Sequence, residues 1–432
     1  MSHAGALPSQ LIRQLVRVNR LMDTRGPYAE DCIQPASADL TLSEWGYCVK
    51  AAFLPNPDET VETAIMRYAL FPVDLSQPQV LNTGSTYIFR LNERLALDPE
   101  LFAYFSPKSS VGRLNIWVRT LADRVSRFDR VPAGYEGPLY VMVTPKSWPV
   151  IIQAGIAVNQ LRFFTVRQEM LSRLEVRLLH EELGIMNTGN GVRLADPLFV
   201  DDGILLTADL TASPVAYRAK HSIEILDLTK EGSHDPLDFF DPIERAKNGE
   251  LILRENEFYL LATYEAFRVP IDYCVEMVAY DVASGEFRSH YAGFFDPGFG
   301  FGNDGVHQGT PATLEVIPHE SVIIHHRQPV CKMVFERLVT TPDKIYGSGK
   351  IGSHYQHQHG PGLSKYFRKA ASSESRMANS NSTTQGITEQ KIANDADSPL
   401  ATRHSLNDVH DVVDLALKND QVSGSPSEPN RW

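Results

Sequence analysis

Short segments rich in Val, Ile, Leu, Phe and Tyr, each closed off by Gly, Pro, Asn or Asp, recur along most of the chain. No other feature constrains its fold as much. Examples are Leu139–Thr144, Val158–Thr165, Leu251–Ala262, Ala312–Ile317 and Pro329–Glu336. Segments of this length, bounded by turn residues, form strands. Strands this frequent, with few long helices between them, close into sandwiches or jelly rolls. One helix interrupts them, expected from about Glu169 to Leu183, where Met170, Leu171, Leu174 and Leu178 fall at helical spacing and Gly184 supplies a stop. Near the N-terminus, Leu11, Ile12, Leu15 and Val16 interleave with Arg13, Arg17 and Arg20. That stretch reads as an amphipathic helix covering the first sheet, and it lacks the apolar core and cleavage site of a secretory signal.

The interrupting helix opens a second copy of the first half. Each half has Ala-Asp-Leu, at 38–40 and 208–210, then a strand pair, Leu81–Phe89 in one and Leu253–Leu261 in the other. Leu97–Leu101 and Val269–Tyr273 follow, and each copy closes on an apolar hairpin ending in Asn159–Phe163 or Cys331–Phe335. The expected organisation is a first repeat over 1–166, a second over 167–345, a closing segment over 346–368 and a tail over 369–432. In the tail Ser, Asn, Thr, Gln and Asp dominate, too little apolar surface to offset the entropy of ordering, so disorder is expected there. Val409 to Lys418 could form an amphipathic turn or two.

Net charge over the 432 residues is -12, which points away from nucleic-acid polymers, whose binders carry basic faces. An acidic protein still takes small anions where its cations are local. No apolar run approaches the roughly 20 residues needed to cross a bilayer, and a cytoplasmic location is expected. The four cysteines, Cys32, Cys48, Cys274 and Cys331, form no C-x-x-C pair, and each reads as a reduced, buried, small apolar residue.

Chemistry concentrates at Ser106-Pro107-Lys108-Ser109-Ser110-Val111-Gly112-Arg113. Hydroxyls, a lysine and an arginine beside a glycine offer several donors to one anion, with Arg suited to bidentate phosphate contact. Taken alone, the stretch is equally a polar hairpin loop. It resembles the phosphate motif of the dUTPase/dCTP deaminase superfamily, Arg/Lys-Ser-Ser-x-Gly/Ala-Arg. Ile33-Gln34-Pro35-Ala36-Ser37-Ala38-Asp39-Leu40 is similar to that family's first motif. Gly155-Ile156-Ala157-Val158-Asn159-Gln160-Leu161 is similar to a later one, and Tyr355 to Ser364 resembles the deaminases' closing segment. The resemblance covers most of residues 30 to 365. It implies an all-β fold with a few helices, two tandem dUTPase-like distorted jelly-roll (β-clip) repeats.

The departures are as informative as the matches. The family places an Asp-Pro-Gly-aromatic turn before a strand bearing its catalytic glutamate. The second repeat has Phe295-Asp296-Pro297-Gly298-Phe299 and then Ala312-Thr313-Leu314-Glu315-Val316, so Glu315 matches the glutamate. The first repeat has only a stretched form from Asp129 to Gly137, with Met142 in the glutamate's place. Conversely, the second repeat has Ala279-Tyr280-Asp281-Val282-Ala283 where the phosphate motif belongs. These complementary losses imply one composite site, joining Lys108, Ser109, Ser110 and Arg113 with Asp296, Phe299 and Glu315. Tyr346, Tyr355 and Gln358 fold over the nucleotide, and the resemblance adds Gln160, Thr313, Leu314 and His354 as substrate contacts. Gly298 to Gly305 reads as an insertion rather than a nucleotide-binding glycine loop, because no strand-to-helix junction surrounds it.

On this resemblance the expected reaction is deamination of dCTP to dUTP and ammonia, with one partly buried carboxylate shuttling protons. Strand glutamates commonly face solvent, but the matched turn ahead of Glu315 argues for the site. Zinc is not expected. His180-Glu181-Glu182 satisfies H-x-E, but no P-C-x-x-C follows it, and the triplet reads as a solvated helical face. His354, His357 and His359 have a spacing that could bind a metal, though the expectation is no site. Magnesium is expected to arrive with the triphosphate. The expected partner is therefore the small-molecule nucleotide, with a homo-oligomer possible. The alternatives are a dUTP diphosphatase, a bifunctional enzyme forming dUMP, and a non-catalytic nucleotide sensor.

Overall fold

The structure is a computed structural model and describes residues 4–166, 170–279, 287–289, 293–302, 305–348, 355, 356 and 358–368. The expectations for the tail, for His354 and His357, and for Tyr280 to Ala283 lie outside the described residues.

Strands dominate. In the first repeat, Ala38–Val49 is the central strand. It pairs antiparallel with Ala157–Thr165 on one side and Thr86–Ala96 on the other. Leu101–Pro107 extends the sheet beyond Ala157–Thr165, and Glu136–Pro145 extends it beyond Thr86–Ala96. The second repeat splits the same arrangement into two sheets. Gly203–Thr207 pairs with Pro329–Arg337, which pairs with Tyr273–Ala279, while Ala216–Ala219, Tyr259–Phe267 and Thr310–Pro318 form the other sheet.

The register shows which residues correspond between the copies. Ile88 pairs with Met142, and Leu260 pairs with Glu315, so Met142 stands at the place of Glu315. A buried threonine–glutamate pair occurs in both copies. Glu93 takes the amide of Thr41 at 2.9 Å and its hydroxyl at 2.7 Å, and Glu265 takes both from Thr207 at 2.7 Å. Because Thr41 matches Thr207, Asp39 matches Leu205. Ala208-Asp209-Leu210 is thus not the counterpart of Ala38-Asp39-Leu40. Strand register outranks a tripeptide match, since a slip of one residue would turn every side chain to the other face.

The turn before the glutamate strand is also duplicated, but not where the sequence places it. Phe295 pairs with Val275, and Val131 pairs with the equivalent Ala103. Asp296 O then accepts from Phe299 N at 3.1 Å, and Pro132 O from Tyr135 N at 3.2 Å. Pro132, not Asp129, therefore occupies the position of Asp296. Asp129 is occupied elsewhere, accepting from Thr120 N at 2.7 Å and Arg119 at 2.9 Å.

Two helical expectations need correction. The helix runs Arg173–Leu183, started by Ser172 in a capping box with Glu175 and stopped at Gly184 in the left-handed region. Met170 lies before it and is exposed, bridging to Glu336 instead. The buried face is Val176, Leu179 and His180, so His180 is not part of a solvated face. Its ring binds Leu194 O at 2.9 Å and receives Met186 N at 3.2 Å, and burial lowers its pKa. The N-terminal helix, Ser9–Arg17, buries Ile12 and Leu15 in the core of the first repeat. Cys48, Cys274 and Cys331 are buried and Cys32 is half-buried; all four are free.

The repeats are joined by more than packing. Leu226–Asp227, from a connection in the second repeat, adds a parallel strand to Val150–Ile152 of the first. Beside it Trp148, 1% exposed, donates from its indole N–H to Lys220 O at 3.0 Å. Its ring meets Phe239 and Phe240 edge-on at 5.3 and 5.0 Å. Trp148→Ala is expected to cost about 3–5 kcal/mol in urea unfolding, and Trp148→Phe, which keeps most of the ring contact, clearly less.

Candidate active site

Leu101–Pro107 ends at Lys108, and a single helical turn, Ser109–Gly112, follows it. Val111 anchors that turn in the core, which leaves Ser109, Ser110 and Arg113 beside a cavity of about 400 Å³. Asp31, Gln34, Asp39, Lys108 and Gln160 line the rest of the first-repeat side; the opposite wall is Phe294, Phe295, Asp296, Phe299, Tyr346 and Tyr355, with Lys365 at its edge. Residues from both repeats of one chain thus face each other across the cavity. A larger depression, about 630 Å³, lies against Trp45, but its guanidinium groups are engaged, Arg25 by Asp23 and Arg90 by Glu62.

Arg113 is the hub. Its guanidinium lies 3.7 Å from the centre of the Tyr355 ring, and Nη1 donates to Gly362 O at 3.1 Å. Gly362 N donates to Thr313 Oγ1 at 3.0 Å, and Ser364 Oγ donates to Ser110 O at 2.6 Å. The C-terminal segment is therefore strapped across the serine turn. Gln358 joins it, donating to Pro311 O at 2.5 Å, with its Oε1 3.4 Å from Thr313 Oγ1. A Cβ at Gly362 would stand 2.5 Å from both Arg113 Nη1 and Gln358 Oε1, so any side chain there would displace the ends of these two groups.

Thr313 and Glu315 share one face of Thr310–Pro318, as alternate strand residues must. Glu315 is 3% exposed, and among the described residues its Oε2 has no hydrogen-bond partner. Burial pushes its pKa up to about 8, against the opposing pull of the Arg113 charge. It does not line the cavity directly, but the Arg113 charge acts on it, and its own charge adds to burial in raising the pKa of the Tyr355 hydroxyl. Leu314 points the other way into the core, so only its backbone is left for a ligand.

Asp296 is held from the first repeat. Ser37 Oγ donates to Oδ2 at 3.2 Å, and Arg162 Nη2 donates to Oδ1 at 3.2 Å. Burial raises its pKa, opposed by Arg162. Phe299 stacks on Phe267 at 5.1 Å and meets Tyr346 at 5.4 Å, making an aromatic wall; burial raises the Tyr346 hydroxyl well above its ordinary range. Lys108 is ion-paired with Asp39.

Of the residues expected at the site, Lys108, Ser109, Ser110, Arg113, Gln160, Asp296, Phe299, Tyr346 and Tyr355 line the cavity. Thr313, Glu315 and Gln358 stand behind Arg113 and the strap. Sequence reading missed Arg162, Ser37, Gly362, Ser364 and Lys365. Ser37, Gly362 and Ser364 lie within the motifs that carry the resemblance, and Arg162 lies two residues beyond Gln160 and so on the same strand face; Lys365 carried no signal of its own.

An all-β chain with few helices, folding a serine–arginine turn against an aromatic wall and a buried glutamate, defines a nucleotide-processing enzyme of dUTPase-like fold. The N-terminal domain profile of 2'-deoxycytidine 5'-triphosphate deaminase matches residues 3–167, and its C-terminal domain profile matches residues 172–367. The crystal structure of 2'-deoxycytidine 5'-triphosphate deaminase from Agrobacterium tumefaciens is 39% identical, with a TM-score of 0.71, and the match covers 79% of this chain and 100% of that one. The "dCTP deaminase, dUMP-forming" of a Nocardioides strain is 29% identical over 31% of this chain and 68% of its own length. That of Methanosphaera stadtmanae is 31% identical over 30% of this chain and 67% of its own length. The chain belongs to the dCTP deaminase family, a family of hydrolytic enzymes.

The Glu315 geometry has a consequence for stability. A carboxyl whose folded pKa exceeds its unfolded value loses stabilisation as pH rises from the unfolded to the folded pKa. Glu315→Gln, which mimics the protonated form, is therefore expected to be more stable than wild type between pH 4.5 and 8. At about 1.4 kcal/mol per pKa unit, the gain at pH 7, about 2.5 units above the unfolded value of 4.5, is on the order of 3–4 kcal/mol. Melting curves at pH 5 and pH 7.5 check this, with the difference widest at the higher pH.

Proposed function

We propose that this chain deaminates dCTP hydrolytically to dUTP and ammonia, with Glu315 moving the protons and no zinc taking part. The observation that carries the reading is a buried carboxyl, one oxygen of which has no hydrogen-bond partner among the described residues, on the strand behind the phosphate-binding type of turn. Lys108, Ser109, Ser110 and Arg113 hold the triphosphate, whose magnesium enters as its counterion. Phe299 and Tyr346 lie against the nucleoside, and Asp296 accepts from one of its donors. Tyr355 and Gln358 close over it, with His354 a further contact from the same segment.

In the reaction, the oxygen of water bonds to C4 of the cytosine ring as Glu315 takes one of its protons. That proton passes to ring N3, giving a tetrahedral centre with oxygen and nitrogen on C4. The remaining hydroxyl proton then moves through Glu315 to the amino group. The C4–N bond breaks, ammonia leaves and the C4 carbonyl of uracil remains. A carboxyl can give and take these protons because burial brings its pKa near neutrality.

A second reading is favoured by the names of the curated relatives, which are dUMP-forming deaminases. In it the same site also hydrolyses the product to dUMP and pyrophosphate. Product chromatography with magnesium separates the two. Ammonia with dUTP supports the first reading, ammonia with dUMP and pyrophosphate the second. Binding of dCTP without turnover would instead make the chain a sensor.

Glu315→Gln is expected to keep dCTP binding and to lose about 10²–10⁴-fold in kcat. Arg113→Ala is expected to lose binding. Mixing the two inactive variants is expected to restore nothing, because both groups act within one chain. In wild type, kcat/KM is expected to rise with pH to a plateau above about pH 8 as Glu315 ionises in the free enzyme. A flat profile from pH 6 to 9 would remove Glu315 as the base.

A further inference from the structure

The guanidinium of Arg162 is fully buried and bonds Asp296, which lines the cavity. It projects from Ala157–Thr165 on the same face as Gln160, which lines the cavity. Nη2 donates to Asp296 Oδ1 at 3.2 Å and to Phe295 O at 3.3 Å, and Nη1 donates to Val275 O at 3.4 Å. The group also lies 4.3 Å from the centre of the Phe294 ring. One first-repeat side chain thus grips the side chain and the backbone of the second-repeat turn that walls the cavity.

The duplication provides an internal control. Register aligns Leu161 with Met333 and therefore Arg162 with Val334. At the other end of the pair, Pro132 stands at the position of Asp296. Neither member survives in the other copy: one repeat keeps the arginine, the other keeps the aspartate. A guanidinium whose only task was to fill the interior would not need the carboxylate, since a hydrophobic side chain such as Val334 fills the equivalent position. A buried charge is strongly unfavourable unless paired, and Asp296 is the carboxylate that Arg162 hydrogen-bonds, with the charges of Glu336 and Glu276 also acting on it.

We infer that Arg162 is a positioning residue for nucleoside recognition. It opposes the effect of burial on Asp296, favouring the carboxylate form, and fixes the rotation of the group, with Ser37 holding the second oxygen. The lone pairs left free then face the cavity as an acceptor for a donor on the bound deoxynucleoside. Since Arg162 and Ser37 come from one repeat and Asp296 from the other, the same contact registers the aromatic wall against the serine–arginine turn. The inference rests on the reading of this cavity as the nucleotide site.

The test is a double-mutant cycle on the full chain, using Arg162→Met and Asp296→Asn, with kcat and KM for dCTP and melting temperature measured for each. Arg162→Met is expected to lower kcat/KM about 100-fold in the wild-type background and by less than about threefold once Asp296 is already Asn. Arg162→Lys, which keeps the charge without the fork, is expected to return to within about tenfold of wild type. Should Arg162→Met fail to fold, Arg162→Lys carries the cycle. An equal loss in both backgrounds would mean that Arg162 is only a structural support, and overturns the inference. If wild type releases no ammonia, the reading of the site has failed. The cycle is then read on dCTP binding, where coupling keeps the inference and additivity overturns it.

Discussion

A buried carboxyl oxygen with no hydrogen-bond partner among the described residues is the feature around which the rest of the site is arranged. Its burial holds the acid near neutrality, where it can both take and give a proton. Beside its strand runs the C-terminal strap, whose backbone at Gly362 bonds Thr313, two residues from Glu315. The strap in turn needs an anchor for its carbonyls, and Arg113 supplies it. Thus a cation of the serine turn also holds the strap that lies beside the acid's strand. Arg113 is held tightly by ring and carbonyl contacts, and its charge partly offsets the effect of burial on Glu315.

That arrangement draws its parts unequally from a duplicated fold. The buried threonine–glutamate pair is common to both copies, as is the hydrogen bond that closes the turn at Phe299 or Tyr135. Those interactions hold a strand or a turn in place, so both repeats need them. What differs lies on the cavity side: Glu315 against Met142, Asp296 against Pro132, Arg162 against Val334. Met142 is buried among apolar side chains, where an unpartnered carboxyl would be unfavourable with no compensating role.

Much of this was legible in the sequence where the signal was contiguous. The serine–arginine turn, the Asp296–Phe299 turn and the strap from Tyr355 are short motifs, and each retains its local chemistry wherever the chain carries it. Features that depend on pairing across the chain were not. Ala208-Asp209-Leu210 matched Ala38-Asp39-Leu40 in letters, yet the ladder with Pro329–Arg337 sets it beyond its apparent counterpart. Asp129 looked like the first repeat's turn aspartate until the pairing of Val131 with Ala103 assigned that place to Pro132. His180 looked like a surface residue because an isolated helix does not reveal the carbonyl of Leu194 that accepts from or accommodates its ring. The partner of Arg162 is 134 positions away in sequence. Nothing local could announce it.

The strap also connects the site to the joint between the repeats. Tyr366 and Phe367 are buried, Phe367 5.6 Å from both Phe239 and Phe240, the two rings that Trp148 also contacts. Gly232 N and Ser233 N bind Lys365 O and Tyr366 O at 3.0 and 3.1 Å. The same connection supplies Leu226–Asp227 as the strand added to the first repeat. One segment of the second repeat therefore grips the first repeat on one side and the end of the strap on the other. Any shift between the repeats would move the strap relative to the serine turn and loosen its bonds to Arg113 and Ser110 together. The composite site needs both repeats because they supply its residues, and because their docking sets the position of its cover.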